Sequence, residues 1–320
     1  MPTVARSPND RIGPCAVKMD PAVFTLTEAP AVLLDLLSAH LPFSLPLLRR
    51  VQFTRLKGGL TPSSRILFAS ETNQPPHGED VDRSMHFTAA YIDPAAGPET
   101  QMWIYSTLED GGLSADDAET ATRLVASVVN QAKIIGREYE GELAYPGGIL
   151  LGTLHVSVRQ AMDAAGIDFK LRSAYGYDKW LFRIEELPPG ELGLPDGMDW
   201  STATREDCEV AISRNDLPRQ ADTLSLLPST VIKLSDGTPI AWAFLGLDGS
   251  LTSLHCEEAY RGRGFAKAVA VRLFQSQEHT FGADGWCAAD VSPDNESSIG
   301  VCRSLNGKRY WHLDWVLLHL

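Results

Sequence analysis

The most informative part of the sequence lies between residues 250 and 274, where a strand, a short glycine-rich turn and a helix are predicted to follow one another. The segment reads SLTSLHCEEAYRGRGFAKAVAVRLF. The backbone N–H groups in the first turn of such a helix have no partner within the helix and point at one spot, where the helix dipole adds partial positive charge. Gly262 and Gly264 let the backbone approach a ligand without a Cβ clash. The segment therefore predicts an anion site suited to a diphosphate.

Side-chain charge supports the same prediction. Arg261, Arg263 and Lys267 surround the turn, in a protein with a formal net charge of −13. The overall negative charge argues against an extended nucleic-acid surface, because phosphate backbones require a positive field. We therefore expect a local basic patch that binds a small anionic ligand.

The five cysteines are spread along the chain and form no Cys-x-x-Cys pair; they are Cys15, Cys208, Cys256, Cys287 and Cys302. This pattern is typical of free thiols and predicts neither disulfides nor a zinc site. No apolar run approaches the ~20 residues needed to span a bilayer. The expectation is a cytoplasmic protein without a metal, a nucleic-acid partner or membrane contact, present as a monomer or homodimer.

The N-terminal half predicts alternating helices and strands. Apolar spacing predicts a helix over 23–41 that ends before Pro42, followed by mixed helix or strand. The runs MHFTAAYI and QMWIYSTL predict a hairpin. Ser114 predicts the N-cap of a helix that runs toward Tyr139. A second helix is predicted over 155–165, and KWLFRIE predicts a strand.

Residues 187–199 are dense in proline and glycine and predict an interdomain linker. Beyond it, the turn Asp248-Gly249 predicts a β-hairpin. The predicted order is helix 206–214, strands 230–234, 240–247 and 251–256, helix 264–279, strand 286–291, a helix opening near Asn295, and strand 311–318.

The pattern Arg261-x-x-Gly264-x-Ala266, after a strand that ends in LHC, resembles the pyrophosphate signature of the GNAT superfamily, the GCN5-related N-acetyltransferases. The strand CAADV and the helix that opens near Asn295 are similar to the elements that follow in that family. Asn295 matches a family residue that contacts the cofactor arm, and it also suits a helix cap. The resemblance implies an acyl-CoA site formed by Leu254, His255, Cys256, Arg261, Gly262, Arg263, Gly264, Phe265, Ala266, Asn295 and Ser298.

More narrowly, residues 200–320 resemble the glycine N-acyltransferase-like branch of that superfamily. The matching residues are Gly237, Pro239, Trp242, Asp248, Gly249, Tyr260, Arg261, Gly262 and Gly264. A thinner similarity at LPFSLPLLRRVQF and WIYS implies tandem GNAT-like domains, of class α/β (α+β) with mixed central sheets. The implied division is a flexible tail at 1–20, a degenerate GNAT-like domain at 21–186, the linker at 187–199, and an acyl-CoA-binding GNAT domain at 200–320.

Two positions depart from the family pattern. Cys302 stands where many GNAT enzymes carry a tyrosine general acid. Ser250 stands where glycine N-acyltransferases carry a glutamate general base. Because serine is not a base near neutral pH without help, proton transfer falls to another group or to water.

Four side chains near the end of the strand are candidates for the general base. His255 ranks first, because an imidazole with a pKa of ~6.5 suits the removal of an ammonium proton. Glu257 and Glu258 lie just past the strand, and Asp290 lies on the next strand. By resemblance, backbone N–H groups around 254–256 are expected to polarise the thioester oxygen.

The sequence thus predicts an acyl-CoA-dependent N-acyltransferase that uses acetyl-CoA or another short acyl-CoA. The expected acceptor is a small-molecule amine or amino acid that attacks the thioester directly. One alternative is a protein N-acetyltransferase, which requires an open groove rather than a closed pocket. Another is a catalytically impaired acyl-CoA-binding module, as Ser250 and Cys302 suggest. A covalent relay through Cys256 or Cys302 ranks lower, because free cysteine is a frequent core residue.

Overall fold

The structure is a computed structural model that describes residues 20–76, 82–189, 193–215 and 219–320. The tail predicted at 1–20 lies outside the described residues except for Asp20, and so does Cys15. Part of the predicted linker, 190–192, is also outside them.

The strands of the described residues are β1 Phe24–Leu26, β2 Arg65–Ser70, β3 Phe87–Ile92, β4 Met102–Ser106, β5 Gly148–His155, β6 Phe169–Leu171, β7 Tyr177–Arg183, β8 Met198–Ser201, β9 Ser229–Leu234, β10 Pro239–Leu245, β11 Ser250–Cys256, β12 Trp286–Val291 and β13 Lys308–His319. The α-helices are α1 Ala31–Ala39, α2 Leu45–Phe53, α3 Ala115–Glu138, α4 Val156–Ala164, α5 Arg205–Ser213, α6 Ala221–Leu224, α7 Phe265–Ser276, α8 Glu278–Phe281 and α9 Glu296–Ser304.

All of these strands join one mixed sheet. Its order is β1-β2-β3-β4-β5-β13-β7-β12-β11-β10-β9-β8, with β6 paired to β13. The strand order is the same when it is read inward from either edge. One edge gives the consecutive strands β1 to β5 of the N-terminal half, and the other gives the consecutive strands β8 to β12 of the C-terminal half. The pairs β4–β5 and β11–β12 are parallel and occupy equivalent places, whereas the other neighbours are antiparallel. The fold is the predicted mixed α/β fold with two topologically matched halves.

The two halves exchange strands at the centre of the sheet. Strand β7, from the N-terminal half, pairs with β12, and β13, at the C-terminal end of the chain, pairs with β5. The hydrophobic cores are exchanged in the same way: the Phe182 ring of β7 lies 5.0 Å from the Phe274 ring of α7, while Val316 and Leu318 of β13 join the core around α3. The proposed domain boundary at 187–199 remains a prediction, and the sheet crosses it.

Local chemistry explains several helix starts. Ser114 precedes α3, and its hydroxyl accepts a hydrogen bond from the Asp117 backbone N–H at 3.2 Å, as the sequence predicted. Thr204 and Asp207 form a reciprocal capping box at the start of α5. The Asp248-Gly249 turn joins β10 and β11 in the predicted hairpin, and Gly249 has a φ of 71°.

The N-terminal prediction of a helix over 23–41 is wrong at its start. Residues Phe24–Leu26 form a strand against β2, and the helix begins only at Ala31. Pro30 stands at the N-cap in an extended conformation, and the residue before a proline disfavours the helical region. After Pro42, residues Leu45–Phe53 are helical rather than mixed, with Pro46 in the first turn.

Candidate functional site

The glycine-rich turn leaves open space beside its backbone. Strand β11 ends at Cys256, a short 3₁₀ turn spans Glu258–Tyr260, and α7 begins at Phe265. Gly262 and Gly264 have φ angles of 77° and 82°, a left-handed conformation that favours glycine. A Cβ placed on either of them would meet no described atom within 4 Å. The N-cap residue Gly264 has no side chain that could cap the first N–H groups of α7. These N–H groups therefore remain available to bind an anion.

Two guanidinium groups frame this turn. The Arg261 Nε donates to the Cys256 carbonyl at 3.0 Å, which ties the turn to the end of β11. Arg263 donates to the Ala259 carbonyl at 3.3 Å and lies over the Tyr260 ring at 5.6 Å. Both arginines are exposed, so their charge faces solvent at the start of α7.

The equivalent turn of the N-terminal half has the opposite charge. Between β4 and α3 the chain carries Glu109 and Asp110. Asp110 accepts from the Tyr105 hydroxyl at 2.9 Å and contacts His40 Nδ1 at 2.6 Å. Burial raises the pKa of Glu109 well above its usual range. Because burial favours the neutral form of Glu109, the negative charge of this turn is that of the Asp110 carboxylate. That carboxylate repels a diphosphate, so of the two matched turns the one before α7 fits such a ligand.

Strands β11 and β12 separate after a short parallel contact. Within these two described strands, only two residue pairs are in register, Ser250 with Ala288 and Leu251 with Ala289. On its other side β11 continues along β10 as far as Cys256, with an irregularity where Ser253 has a φ of 50°. The backbone of β11 beyond Leu251 is therefore turned away from β12, and its edge faces a cavity.

We call that cavity the strand-split cavity; its volume is about 280 Å³. It is lined by Ala211, Arg214, Asn215, Trp242, Leu251, Thr252, Ser253, Leu254, His255, Ala289, Asp290, Val291, Asn295, Ser298, Val301 and Cys302. Five residues that the sequence assigned to the site, Leu254, His255, Asp290, Asn295 and Ser298, therefore meet around one opening.

Asn295 caps helix α9. Its side-chain oxygen accepts a hydrogen bond from the Ser298 N–H at 3.0 Å. The cap uses only the oxygen of the amide, and both residues line the strand-split cavity. The capping role that the sequence left open is thus present, and a contact to a ligand through the amide nitrogen is compatible with it.

A second cavity, of about 360 Å³, lies between the two halves. We call it the interhalf cavity. It is lined by Pro98, Glu99, Thr100, Trp103, Tyr145, Leu150, Arg172, Tyr177, Arg219, Thr223, Leu227, Gly246, Leu247, Asp248, Ser250, Leu251, Thr252, Asp290 and Trp315. Leu251, Thr252 and Asp290 line both cavities, so the two spaces approach one another at these residues.

Asp290 is the most buried of the four base candidates. Its side chain is 8% exposed, and its Oδ1 lies 2.6 Å from Nζ of Lys179, which is 1% exposed. Burial raises the pKa of Asp290, and the Lys179 ammonium acts in the opposite direction. Lys179 lies on β7, so the N-terminal half supplies a charged group to this site.

His255 lies against the strand-split cavity only. Its ring stacks on Trp242 with 4.7 Å between centroids, and its Nε2 lies 3.8 Å from the Glu257 carboxylate. Burial lowers the pKa of His255, so the neutral form that accepts a proton is favoured at neutral pH. Glu257 is engaged by Arg214 at 3.0 Å, and Glu258 is exposed in the 3₁₀ turn.

Ser250 is bonded to a carboxylate that the sequence did not single out as a site residue. Its hydroxyl donates to Asp248 Oδ1 at 2.6 Å, and Asp248 lines the interhalf cavity with it. Lys179 and Arg219 were also absent from the predicted set. Lys179 and Arg219 reach the site through contacts between segments that are distant in sequence. Only the contact between Asp248 and Ser250 could have been found locally, because the two residues lie in the same hairpin turn.

The cysteines near the site are poor nucleophiles. Burial raises the pKa of Cys302 to about 12 and also raises that of Cys256. Because the thiolate is the reactive form, both environments disfavour a covalent relay. In the described ranges, the His, Cys, Asp and Glu side chains form no group of three or more arranged to hold a metal ion. None of the helices in those ranges is both long and apolar enough to cross a bilayer.

Comparison with known proteins identifies the family of the chain. The model of the N-terminal domain of the acyl-CoA N-acyltransferase verG matches residues 20–180, which is half of the chain. No curated protein matches the sequence significantly.

Several solved structures are similar in fold. A Drosophila protein is 17% identical over 89% of this chain and 94% of its own, with a TM-score of 0.57. A tandem GNAT protein from the clavulanic acid biosynthesis pathway is 10% identical over 93% of this chain and 98% of its own, with a TM-score of 0.51. A GCN5-related N-acetyltransferase from Sphaerobacter thermophilus is 13% identical over 93% and 95% of the two chains, also with a TM-score of 0.51.

Proposed function

This chain belongs to the acyl-CoA N-acyltransferases of the GNAT superfamily, and we propose that it transfers a short acyl group, such as acetyl, to a small-molecule amine or amino acid bound between its two halves. The family fixes the reaction class. The choice of acceptor, of acyl group and of site residues is our proposal and rests on the two cavities.

The turn before α7 is our proposed site for the diphosphate of CoA. Support comes from the open space over Gly262 and Gly264 and from the first N–H groups of α7. Arg261 and Arg263 add charge of the right sign. A negative charge at such a helix terminus contributes about 0.3–1 kcal/mol when exposed, so the backbone and arginine contacts must act together.

The strand-split cavity is our proposed path for the pantetheine arm and the thioester. Beyond Leu251 the backbone edge of β11 faces this space instead of β12. N–H groups between Leu254 and Cys256 are suited to polarise the thioester oxygen. A cavity of about 280 Å³ that also holds the arm leaves little volume for a long acyl chain. This supports acetyl-CoA or another short acyl-CoA as the donor.

One observation carries the proposal: the strand-split and interhalf cavities share Leu251, Thr252 and Asp290. A donor in one space and an acceptor in the other would therefore meet at these residues. Holding the amine and the carbonyl carbon in line can contribute about 7–11 kcal/mol to lowering the barrier of such a reaction.

Asp290 is our proposed general base, in preference to His255. Asp290 lines both cavities, whereas His255 lines only the donor side. A carboxylate whose pKa is raised by burial is a better proton acceptor than an exposed one. Asp290 takes a proton from the amine as the nitrogen bonds to the thioester carbonyl carbon. The C–S bond breaks, and CoA leaves as a thiolate that takes up a proton.

The interhalf cavity favours a small acceptor over a protein. Its walls come from both halves: Trp103 and Tyr177 belong to the N-terminal half and Leu247 to the C-terminal half. An extended peptide needs an open groove, while a cavity of about 360 Å³ suits a compact molecule.

Calorimetry with acetyl-CoA, followed by detection of the free thiol over a panel of small amines, amino acids and lysine peptides, tests the proposal. We expect binding of acetyl-CoA and thiol release with a subset of the small acceptors. Release with the peptides alone would overturn the choice of acceptor. Absence of acetyl-CoA binding would overturn the donor site.

A further inference from the structure

Arg219 is a cation held inside the interhalf cavity. The residue lies just before α6, and its guanidinium donates to the Thr252 hydroxyl of β11 at 2.6 Å. Its Nε is buried and has no hydrogen-bond partner among the described residues. The side chain lines the same cavity that we assign to the acceptor.

No carboxylate of the described chain forms an ion pair with this guanidinium. Desolvation lowers the pKa of Arg219, and the charges of Glu99 and Asp248 act in the opposite direction. Both carboxylates have other partners: Glu99 accepts from the Gln220 N–H at 3.2 Å, and Asp248 accepts from Ser250 at 2.6 Å. Arg219 as a whole is half-buried, with its Nε fully buried. A partly buried charge without a close counter-ion is costly, and an anionic ligand would offset that cost.

The other walls of the cavity are aromatic. Tyr145, Tyr177 and Trp315 are half-buried and line it, and the buried Trp103 lines it as well. The rings of Tyr177 and Trp315 meet edge to face at 4.8 Å. Partly exposed aromatic faces around a cavity of about 360 Å³ suit a flat apolar group that is far larger than a methyl group.

We propose that Arg219 binds a carboxylate of the acceptor, and that the acceptor is an amino acid with an aromatic or similarly large apolar side chain. This inference rests on the proposed function, because it assigns the acceptor of the same site. Arg219 and Asp290 then select the two polar ends of the molecule: the guanidinium pairs with the carboxylate, and the Asp290 carboxylate faces the amine. Thr252, which accepts the hydrogen bond from Arg219, lines both cavities, as Asp290 does.

Matched pairs of acceptors test the carboxylate. Phenylalanine, tyrosine and tryptophan differ from phenethylamine, tyramine and tryptamine only by that group, and glycine keeps the carboxylate without the ring. With acetyl-CoA as donor, we expect kcat/KM for each aromatic amino acid to exceed that of its amine and that of glycine at least tenfold. Equal rates for acid and amine, or a preference for glycine, would overturn the inference while leaving the acyltransferase intact.

The variant Arg219→Met separates the carboxylate contact from a general loss of function. We expect it to lower kcat/KM for the amino acids about 30- to 100-fold, through KM, and to change the amines less than threefold. Arg219→Lys should recover part of the loss. Arg205→Met is the matched control, because Arg205 is an exposed arginine of α5 that pairs with Asp222 and lines neither cavity.

Calorimetry distinguishes failure of this inference from failure of the proposed function. We expect acetyl-CoA to bind Arg219→Met and the wild type equally, and phenylalanine to bind only the wild type saturated with CoA. If no carboxylate-bearing member of the panel binds the CoA-saturated protein, Arg219 is not the anchor. If the wild-type protein does not bind acetyl-CoA, the proposed function itself is wrong.

Discussion

Asp290 is subject to two opposing electrostatic effects. Burial favours its protonated form, and the Lys179 ammonium at 2.6 Å favours its ionised form. A base must be ionised to act, so activity should fall as the pH decreases through the raised pKa of Asp290. Asp290 is therefore suited to proton transfer only while both effects act together: burial, which raises its pKa, and the Lys179 ammonium, which lowers it.

Replacing Asp290 with Asn tests its role directly. The amide keeps the shape but accepts no proton, so we expect kcat to fall about 10²- to 10⁴-fold with little change in the Kd of acetyl-CoA. Steady-state kinetics and calorimetry measure the two quantities. If His255→Gln produced that loss and Asp290→Asn did not, the base would be His255.

Replacing Lys179 with Met should raise the pKa of Asp290 further, because the charge that lowers it is removed. The acid limb of the pH–rate profile then moves to higher pH, so the loss of activity is larger at pH 6 than at pH 8. Breaking a buried pair also costs about 3–5 kcal/mol of stability, so urea unfolding must accompany the kinetics. Lys179→Arg should return the acid limb toward its original position, and an unshifted limb in the methionine variant would argue against this coupling.

The turn before α7 and its counterpart before α3 provide a matched pair of elements. Gly264 and Gly112 both have positive φ, 82° and 72°, and both face open space. Glutamate at either position costs about 1–2 kcal/mol in backbone strain. We expect Gly264→Glu to weaken acetyl-CoA binding at least 100-fold, because the carboxylate repels the diphosphate, and Gly112→Glu to change it less than threefold. Similar affinities in the two variants would exclude the turn before α7 as the diphosphate site.

Helix α4 begins with a pH-sensitive cap. The buried His155 Nδ1 accepts from the Ser157 N–H at 3.1 Å, which requires the neutral ring, and burial lowers the pKa of His155 to about 4. The unfolded chain binds a proton near pH 6.5 and the folded chain does not, so stability is present above that pH and is lost as the pH falls toward 4. The charge of Asp110 opposes the shift.

The corresponding test compares unfolding free energies of the wild type and His155→Asn at pH 7 and pH 4.5. A shift of this size corresponds to about 3 kcal/mol at most. We expect the wild type to lose more stability than the variant, because asparagine caps the helix without titrating. Equal losses would mean that other groups govern the acid sensitivity.

The elements that the sequence predicted well have local causes. The cap at Ser114, the Asp248-Gly249 turn and the strand Trp286–Val291 each follow from neighbouring residues. The buried strand β5 is a short apolar run, which periodicity alone does not distinguish from a buried helix. The glycine-rich turn was recognisable because its chemistry lies within a few consecutive residues.

The interhalf cavity could not be predicted in the same way. Trp103, Arg219 and Trp315 are distant in sequence, and the sheet brings them to one space. Even Asp290, a predicted candidate, had no visible partner before the pairing of β7 with β12 placed Lys179 beside it. Ranking His255 first followed from a reference pKa, whereas access to the acceptor depends on tertiary structure.

At the scale of the whole molecule, strand exchange makes each half depend on the other. The C-terminal half without residues 20–186 lacks β7, which pairs along the full length of β12, and the N-terminal half without β13 exposes the edge of β5. A long unpaired strand edge is a site of aggregation. The family model that matches residues 20–180 therefore describes a segment whose sheet is completed by residues 308–319.

Splitting the chain within 187–199 tests this dependence. We expect fragments 1–189 and 193–320 to lack cooperative unfolding when produced separately, because each carries an open sheet edge and an incomplete core. Produced together, they should copurify at equal stoichiometry and bind acetyl-CoA with nearly the affinity of the intact chain, because the central pairings need no covalent link between the halves. Circular dichroism, size-exclusion chromatography and calorimetry measure these outcomes. If fragment 193–320 alone folded and bound acetyl-CoA as tightly as the intact protein, β7 and Lys179 would be dispensable for the donor site, and the N-terminal half would serve only the acceptor.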